Sequence, residues 1–421
     1  MVDKNLFLYD LAVVAIMKNE GHYLKEWLDY HLLAGVEHFY LYDNDSTDNQ
    51  AEVAKPYVEA GLVDYFFLPG KFIQHVAYDD AINRFKFQCR YMAFIDLDEF
   101  IYPKTNRSII EIVDEILPDD PNASGLLIHW QIFGSNGQKK ADYSRGVLER
   151  FTRRAEKDFG HFEMKNKTPV AYGNVFLKQI ANPRRIKEML VHHAVYFKKY
   201  YSVGEQGIRL PETQIIRPIF VEKIAINHYF NKSLEEANLK LARGTANALY
   251  WDKYMVNLYD RNEVFDDGIL KYRAARAENF SLVNDAERIN RVTESLIKTL
   301  SQFADGEISD LETALTCRAL SHYLLEKYPN DDRFKVFEEA SLAAILNSLD
   351  GLKISEVRIL IRELPNLLFL PYSIVAEIKN AVLQIISQMM QFKREEKFKD
   401  ELADLHFLQL NYLRRLLEAW R

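Results

Sequence analysis

Tyr91-Met92-Ala93-Phe94-Ile95-Asp96-Leu97-Asp98-Glu99-Phe100-Ile101-Tyr102 is an apolar run interrupted by three carboxylates. Its apolar start reads as a buried strand of a parallel sheet. Carboxylates where such a strand ends lie at the edge where open α/β sheets bind ligands. Asp96 and Asp98, spaced i, i+2, are placed there to hold a divalent metal, with Glu99 beside them.

The segments before this run repeat one pattern. Leu11 to Met17 is a β-rich apolar stretch, followed by a loop, Lys18 to Gly21, and then by Tyr23, Leu24, Trp27, Tyr30, His31 and Ala34 at helical spacing. Val36 to Tyr42 is a second strand, ending in the turn formers Asp43 to Asn49 ahead of a second helix. Leu62 to Leu68 is a third strand, and a helix spans about Ile73 to Gln88. Strands alternating with helices predict a parallel, helix-covered sheet. Beyond Tyr102 the pattern becomes mixed, with a helix near Ser108 to Ile116. Strands follow near Gly125 to Phe133, Val175 to Ile180, Val191 to Phe197, Ile215 to Val221 and Ile224 to Tyr229. A helix starts near Ser233, with Glu235 and Glu236 in its first turn. From Asp285 the signal is almost wholly helical, as in Leu311 to Tyr328, Phe334 to Leu349 and Lys397 to Trp420.

A chain of 421 residues exceeds what one core usually serves, so two domains are expected, 1–280 and 285–421. With 48% hydrophobic and 27% charged residues it is an ordinary globular composition, able to bury a sizeable core. The net charge of −7 and the lack of a Lys/Arg block argue against nucleic-acid binding. Cys89 and Cys317 are too few for a disulfide framework or a thiolate metal site. The start has no signal-peptide pattern, and no run reaches the roughly 18 uncharged residues of a spanning helix. These features predict a cytoplasmic protein, touching at most the inner face of a membrane.

Asp-x-Asp alone is a weak signal, and this chain has two, Asp43/Asp45 and Asp96/Asp98. The first lies in a Ser/Thr/Asn-rich turn that local helix capping explains. The second runs directly into Glu99, Phe100 and Ile101, and carboxylates set among apolar residues need a partner such as a metal. Mg²⁺ or Mn²⁺ takes oxygen ligands and commonly keeps substrate phosphates, so a diphosphate leaving group fits one or two carboxylates.

Several stretches together resemble the family 92-like glycosyltransferases, relatives of the large family 2 group with a GT-A fold. They are Lys18-Asn19-Glu20, Glu26-Trp27-Leu28-Asp29-Tyr30-His31, Gly35 to Asn44, Phe94 to Phe100, Trp130-Gln131-Ile132-Phe133-Gly134-Ser135, and Asn227 to Ser233 with Arg243-Gly244. The resemblance runs from about residue 12 to 245. It implies an α/β GT-A (nucleotide-diphospho-sugar transferase, Rossmann-like) domain ahead of an all-α C-terminal domain. It further implies transfer from a nucleotide sugar, most often a UDP-sugar, to a saccharide or lipid-linked saccharide acceptor, with inversion, as in surface polysaccharide or glycoconjugate synthesis.

The resemblance also distributes roles. Asp96 and Asp98 would be the metal-binding pair, with His228 as the third ligand and Mn²⁺ or Mg²⁺ as the cofactor; imidazole suits Mn²⁺ in a mixed site. His192 and His193 also close an apolar segment and are rivals for that place. Asn19 and Glu20 would line the nucleoside pocket, and Asp43 would accept the imide N–H of uracil. Asp45 either joins it or caps the next helix, and Gln74 falls near the nucleotide. Lys232, Ser233 and Arg243 would hold the diphosphate beside a helix N-terminus. Trp130 and Phe133 fall on the acceptor side, although Trp130 also fits a core position. An inverting base must be a carboxylate within reach of the acceptor hydroxyl. Glu99, Asp142, Glu149, Glu163 and Glu205 qualify by type alone.

The helical tail lies outside the resemblance. Its last segment, Leu402 to Arg421, is amphipathic and could pack on its own domain, form a homodimer, or lie on a membrane surface. Two other functions compete. A nucleotidyltransferase would want a glycine-rich phosphate loop, and Met17 to Gly21 supplies one glycine. A nucleotide- or sugar-binding scaffold without catalysis would bind UDP and not turn it over.

Overall fold

The computed structural model describes residues 2–117, 120–165, 168–244, 253–278, 281–282 and 284–349. Tyr9–Met17 (β1), His38–Asp43 (β2), Val63–Phe67 (β3) and Cys89–Phe94 (β4) are parallel, in the order β3-β2-β1-β4. Apart from Asp10, all of β1 is buried, as expected of a central strand covered on both faces. Gly21–Leu33 (α1), Gln50–Glu59 (α2) and Gln74–Phe85 (α3) connect these strands.

The opening run is two strands, not one. β4 ends at Phe94; the chain turns through Asp96–Glu99, where the Glu99 N–H donates to the Asp96 carbonyl at 3.0 Å, and continues as Glu99–Pro103 (β5). Asp96 and Asp98 therefore occupy a tight turn between strands. Ser108 caps the helix Ile109–Ile116 (α4) through a capping box with Glu111.

Ala123–Ile132 (β6), Leu177–Ala181 (β7), Tyr201–Val203 (β8), Arg209–Leu210 (β9) and Ile224–His228 (β10) complete the sheet. Its path is β9-β8-β6-β7-β4-β1-β2-β3. β7 lies antiparallel between β4 and β6, while β10 bridges β6 and β5. A parallel half joined through the Asp-x-Asp turn to a mixed half is the GT-A arrangement. Ile215 to Val221 forms no strand: Ile215 makes a single bridge to Phe176, and Pro218 has no N–H to extend a ladder.

β5 pairs with β10 along one edge, and α1 serves its other edge. Trp27 Nε1 donates to the Glu99 carbonyl at 2.8 Å, Tyr30 Oη donates to the Ile101 carbonyl at 2.9 Å, and the Ile101 N–H donates to His31 Nε2 at 3.2 Å. His31 Nδ1 therefore carries the proton, which it gives to the Trp27 carbonyl at 2.8 Å, and burial pushes its pKa down to about 3. Three side chains of one helix thus replace a missing strand beside the Asp-x-Asp turn. Trp27→Phe, which strands the buried Glu99 carbonyl, is expected to cost about 1–3 kcal/mol in urea unfolding; a loss below the error of the measurement would refute the strand-replacement role.

Residues Tyr9–Asn284 form one compact unit, and the first eight residues group with the helices from Asp285. Within the second unit Arg291 donates to the carbonyls of Phe7 and Leu8, tying the N-terminal segment to the helix Asp285–Ala304. Leu311–Lys327 and Asp332–Leu349 follow, the former capped by Asp310. The expected amphipathic helix at Leu402 to Arg421 lies outside the described residues. No described helix is long and apolar enough to cross a membrane.

Candidate active site at the carboxyl ends of the strands

The loops after β1 and β2 are stitched together. Asn19, at φ 55°, donates its N–H to Ser46 Oγ at 3.0 Å, and its Oδ1 accepts the Thr47 N–H at 2.7 Å. The Glu20 N–H donates to Gln50 Oε1 at 3.1 Å. Asp43 is buried; its Oδ1 accepts the Ser46 N–H and its Oδ2 the Tyr65 hydroxyl, both at 2.9 Å. Asp45 is exposed at φ 59°. Neither caps α2, whose N-cap is Asn49, so the capping explanation is corrected; Asp48 instead accepts the Gly21 N–H at the start of α1.

Asp96 is engaged on both oxygens, accepting from Gln74 Nε2 at 3.2 Å and from Lys178 Nζ at 2.9 Å. Lys178, on β7, is fully buried and also lies 3.5 Å from Glu99. Burial opposes its charge, but Asp96 and Glu99 overcome that cost and raise its pKa. Burial raises Glu99 to about 8, more than Lys178 lowers it. Glu99 accepts the Asp96 N–H at 2.9 Å. Its side chain has no exposed surface to meet an acceptor, so its assignment as a base is corrected: it braces the turn.

Asp98 carries the other half of the turn. Its Oδ1 lies 3.5 Å from His228 Nε2 and its Oδ2 accepts from Lys240 Nζ. Burial would raise its pKa, but Lys240 and His228 hold it well below the usual carboxylate range. The Tyr229 N–H donates to the Asp98 carbonyl at 2.8 Å, so the end of β10 and the turn are locked together. Burial lowers the pKa of His228, and its buried Nδ1 has no protein partner. Trp130 packs edge-on against it at 4.3 Å between ring centroids.

Leu234–Arg243 (α5) closes this group. Lys232, at φ 55°, is buried with its ammonium 4.3 Å from the Tyr23 ring centroid, and desolvation lowers its pKa. Ser233 is the N-cap of this helix, its hydroxyl 2.5 Å from Glu236 in a capping box. Arg243 pairs with Glu20 at 2.6 Å and donates to the carbonyls of Lys18 and Asn19. The N-terminus of α5 is bolted down by Glu236, which accepts from Arg150 at 2.8 and 2.9 Å and from the Tyr23 hydroxyl at 2.9 Å.

Other expected residues fall elsewhere. Phe133 is fully buried against Tyr229, so it offers no face to a sugar; Trp130 is buried too and supports His228 rather than an open acceptor side. Asp142 folds back on Ser144, Glu163 pairs with His161, and Glu149 faces Arg145. Glu205 accepts three backbone N–H groups, from Glu222, Lys223 and Ile224. None of these four hydrogen-bonds to the Asp96–Asp98 turn. His192 is buried with Nδ1 on the Leu177 carbonyl, leaving His228 as the histidine at Asp98.

Among the described residues, no group of three His, Cys, Asp or Glu is arranged to hold a metal ion. Asp98 and His228 nevertheless meet as an O/N donor pair that suits a borderline divalent cation, and the Lys240 ammonium occupies the position of a positive charge on Asp98. Of the three expected ligands, Asp98 and His228 lie against each other, while Asp96 is bonded to Gln74 and Lys178. Lys178 and Lys240 were absent from the expected site. A lysine inside the apolar run Val175 to Ala181 was a usable signal, because buried lysines need partners.

The model of glycosyltransferase family 92 matches residues 14–265, a stretch that contains Asp43, the Asp96–Asp98 turn, His228 and α5. The chain belongs to glycosyltransferase family 92. A family 92 protein of Ricinus communis is 27% identical over 145 residues, covering 34% of this chain and 26% of its own length. A galactan β-1,4-galactosyltransferase of Arabidopsis thaliana is 31% identical over 100 residues, covering 21% of this chain and 19% of its own length. The chain thus spans about a quarter or less of the length of these two relatives. Among solved structures, residues 1–349 of S. aureus TarS in complex with UDP align at 14% identity and a TM-score of 0.29, over 82% of this chain and 90% of that one.

Proposed function

We propose that this family 92 chain is a metal-dependent glycosyltransferase moving a hexosyl group from a UDP-sugar to a saccharide acceptor. The observation that carries this reading is the meeting of Asp98 with His228, with Lys232 among the charges acting on Asp98 and Arg243 paired to Glu20 of the loop that is stitched to the one after Asp43. Asp43 has each oxygen accepting once, and a carboxylate has about four lone-pair sites, so it retains capacity for a uracil N–H. Asp96, 37% exposed, has remaining lone pairs for a donor hydroxyl. Lys232 and Arg243 would bind the diphosphate and stabilise it as the leaving group. Asp98 and His228 would hold Mn²⁺ or Mg²⁺, which when bound supplies Lewis-acid neutralisation of the departing diphosphate.

The test is UDP release by the full chain from a panel of UDP-hexoses with saccharide acceptors. UDP-galactose comes first because relatives carry the galactosyltransferase name. Turnover that EDTA stops and Mn²⁺ restores is the expected result. UDP binding without turnover would favour the scaffold reading, and pyrophosphate release from UTP and a sugar phosphate would favour a nucleotidyltransferase.

A further inference from the structure

Lys240 and Arg243 sit three residues apart in the last turn of α5, where the helix dipole favours cations. Each is already paired with an acid of the site, Lys240 with Asp98 and Arg243 with Glu20. The two pairs differ in how firmly the cation is fixed. Arg243 is forked between Glu20 and two backbone carbonyls. Lys240 is a point charge on a flexible stem, held by Asp98 Oδ2, by the Phe230 carbonyl at 3.2 Å, and by the Phe230 ring at 4.3 Å. Its ammonium therefore occupies one oxygen of Asp98, while the other oxygen faces His228. A divalent cation taken by Asp98 and His228 would face that ammonium at close range, and like charges on one carboxylate repel.

We propose that Lys240 is the resident counter-ion of Asp98 and exchanges places with the divalent cation when the nucleotide sugar binds, its ammonium passing to the diphosphate. The exchange rests on the metal and nucleotide-sugar reading above. It conserves charge pairing: Asp98 gives up an ammonium for a metal, and Lys240 gives up a carboxylate for phosphate oxygens. Metal alone must displace Lys240 with no anion to receive it, and diphosphate alone must draw Lys240 away with no cation to replace it. Metal and nucleotide therefore bind each other's complex more tightly than they bind the free protein, a coupling that is reciprocal.

Calorimetry on the full chain tests the exchange, with MnCl₂ alone and with UDP in saturating Mn²⁺. Lys240→Met is expected to tighten Mn²⁺ binding to the nucleotide-free protein by roughly tenfold, by removing the competing charge. The same variant is expected to weaken UDP binding in the presence of Mn²⁺ by roughly tenfold, the loss of one charge-assisted contact. Shifts of opposite sign are not what a merely structural lysine produces. Lys240→Gln repeats the test should the Met side chain disturb Phe230, and Lys55→Met, removing the same charge from an exposed position of α2, is expected to leave both constants unchanged. Mn²⁺ affinity that stays the same or falls in both Lys240 variants overturns the exchange, as does unaltered UDP affinity. If Asp98→Asn loses Mn²⁺ while the Lys240 variants behave as wild type, only the exchange fails. If the wild type binds neither Mn²⁺ nor UDP, the exchange falls together with the functional reading.

Discussion

Asp98→Asn is expected to lower UDP-sugar turnover by more than roughly 100-fold, beyond the 10–100-fold typical of residues that only support a metal ligand. The substitution keeps the shape of the side chain and removes its charge. In the wild type that charge is strongly held, since Lys240 and His228 keep Asp98 ionised despite its burial. An amide at this position is a poor ligand for a hard cation and leaves His228 as the lone protein donor of the pair. The backbone bond from Tyr229 to the Asp98 carbonyl does not depend on the side chain, so the turn keeps its attachment to β10. Removing the charge also breaks a buried ion pair, so a stability cost of about 3–5 kcal/mol is expected even though Lys240 retains the Phe230 carbonyl, and turnover is compared at temperatures where urea unfolding shows both proteins folded. Asp96→Asn provides the contrast. An Asn oxygen can still accept from Lys178, and a milder loss of about tenfold is expected if Asp96 contributes hydrogen bonds rather than metal ligation. Steady-state kinetics with a Mn²⁺ titration separates the two: equal losses in both variants, or wild-type turnover by Asp98→Asn, would sink the division of labour within the pair.

The parallel half of the sheet was legible because its strands are short apolar runs and its helices carry clear amphipathic spacing. The Asp-x-Asp stretch was legible as carboxylates among apolar residues that need partners, and misread as the end of one strand. Tyr91 to Tyr102 shows no glycine or proline, so nothing local announces that it turns at Asp96 and returns as β5. What stabilises that second strand arrives from Trp27, Tyr30 and His31, about 70 residues earlier. The counter-ions of the two aspartates come from still farther along the chain, Lys178 82 residues and Lys240 142 residues away. Pattern reading recovers residue type and local period; it does not recover pairings of this kind. Phe133 illustrates the opposite error, since an aromatic beside Gly134 and Ser135 reads equally as a sugar platform or as core, and burial against Tyr229 decides for core. Within the motif Glu26 to His31, it is Trp27, Tyr30 and His31 that serve the turn, by holding β5.

The buried pair Arg150–Glu236 should govern how well α5 is held over the site. Both side chains are 2% exposed and bonded bidentately, so Arg150→Met leaves Glu236 buried without its cation and is expected to destabilise the fold by roughly 3–5 kcal/mol. Removing both partners recovers only part of this, because Glu236 also closes the capping box on Ser233 and accepts from Tyr23, and losing a cap costs about 1 kcal/mol. The pH dependence has a definite sign. Burial would raise Glu236 above its ordinary 4.5, but Arg150 and Ser233 outweigh it and hold it to about 2. A depressed carboxylate adds stability that is fully present above its unfolded value and is lost as pH falls through the folded one. The wild type should therefore lose stability between about pH 4.5 and pH 2 more steeply than Arg150→Met, whose Glu236 lacks the strongest reason to stay ionised. Urea unfolding across that range measures both effects, and a cost below about 1 kcal/mol with an unchanged acid limb would mean that the pair behaves like an exposed one. Because α5 carries Lys240 and Arg243, the same variant should raise KM for the UDP-sugar more than it lowers kcat. The geometry of the cations, not the chemistry at Asp98, is what a loosened helix disturbs first.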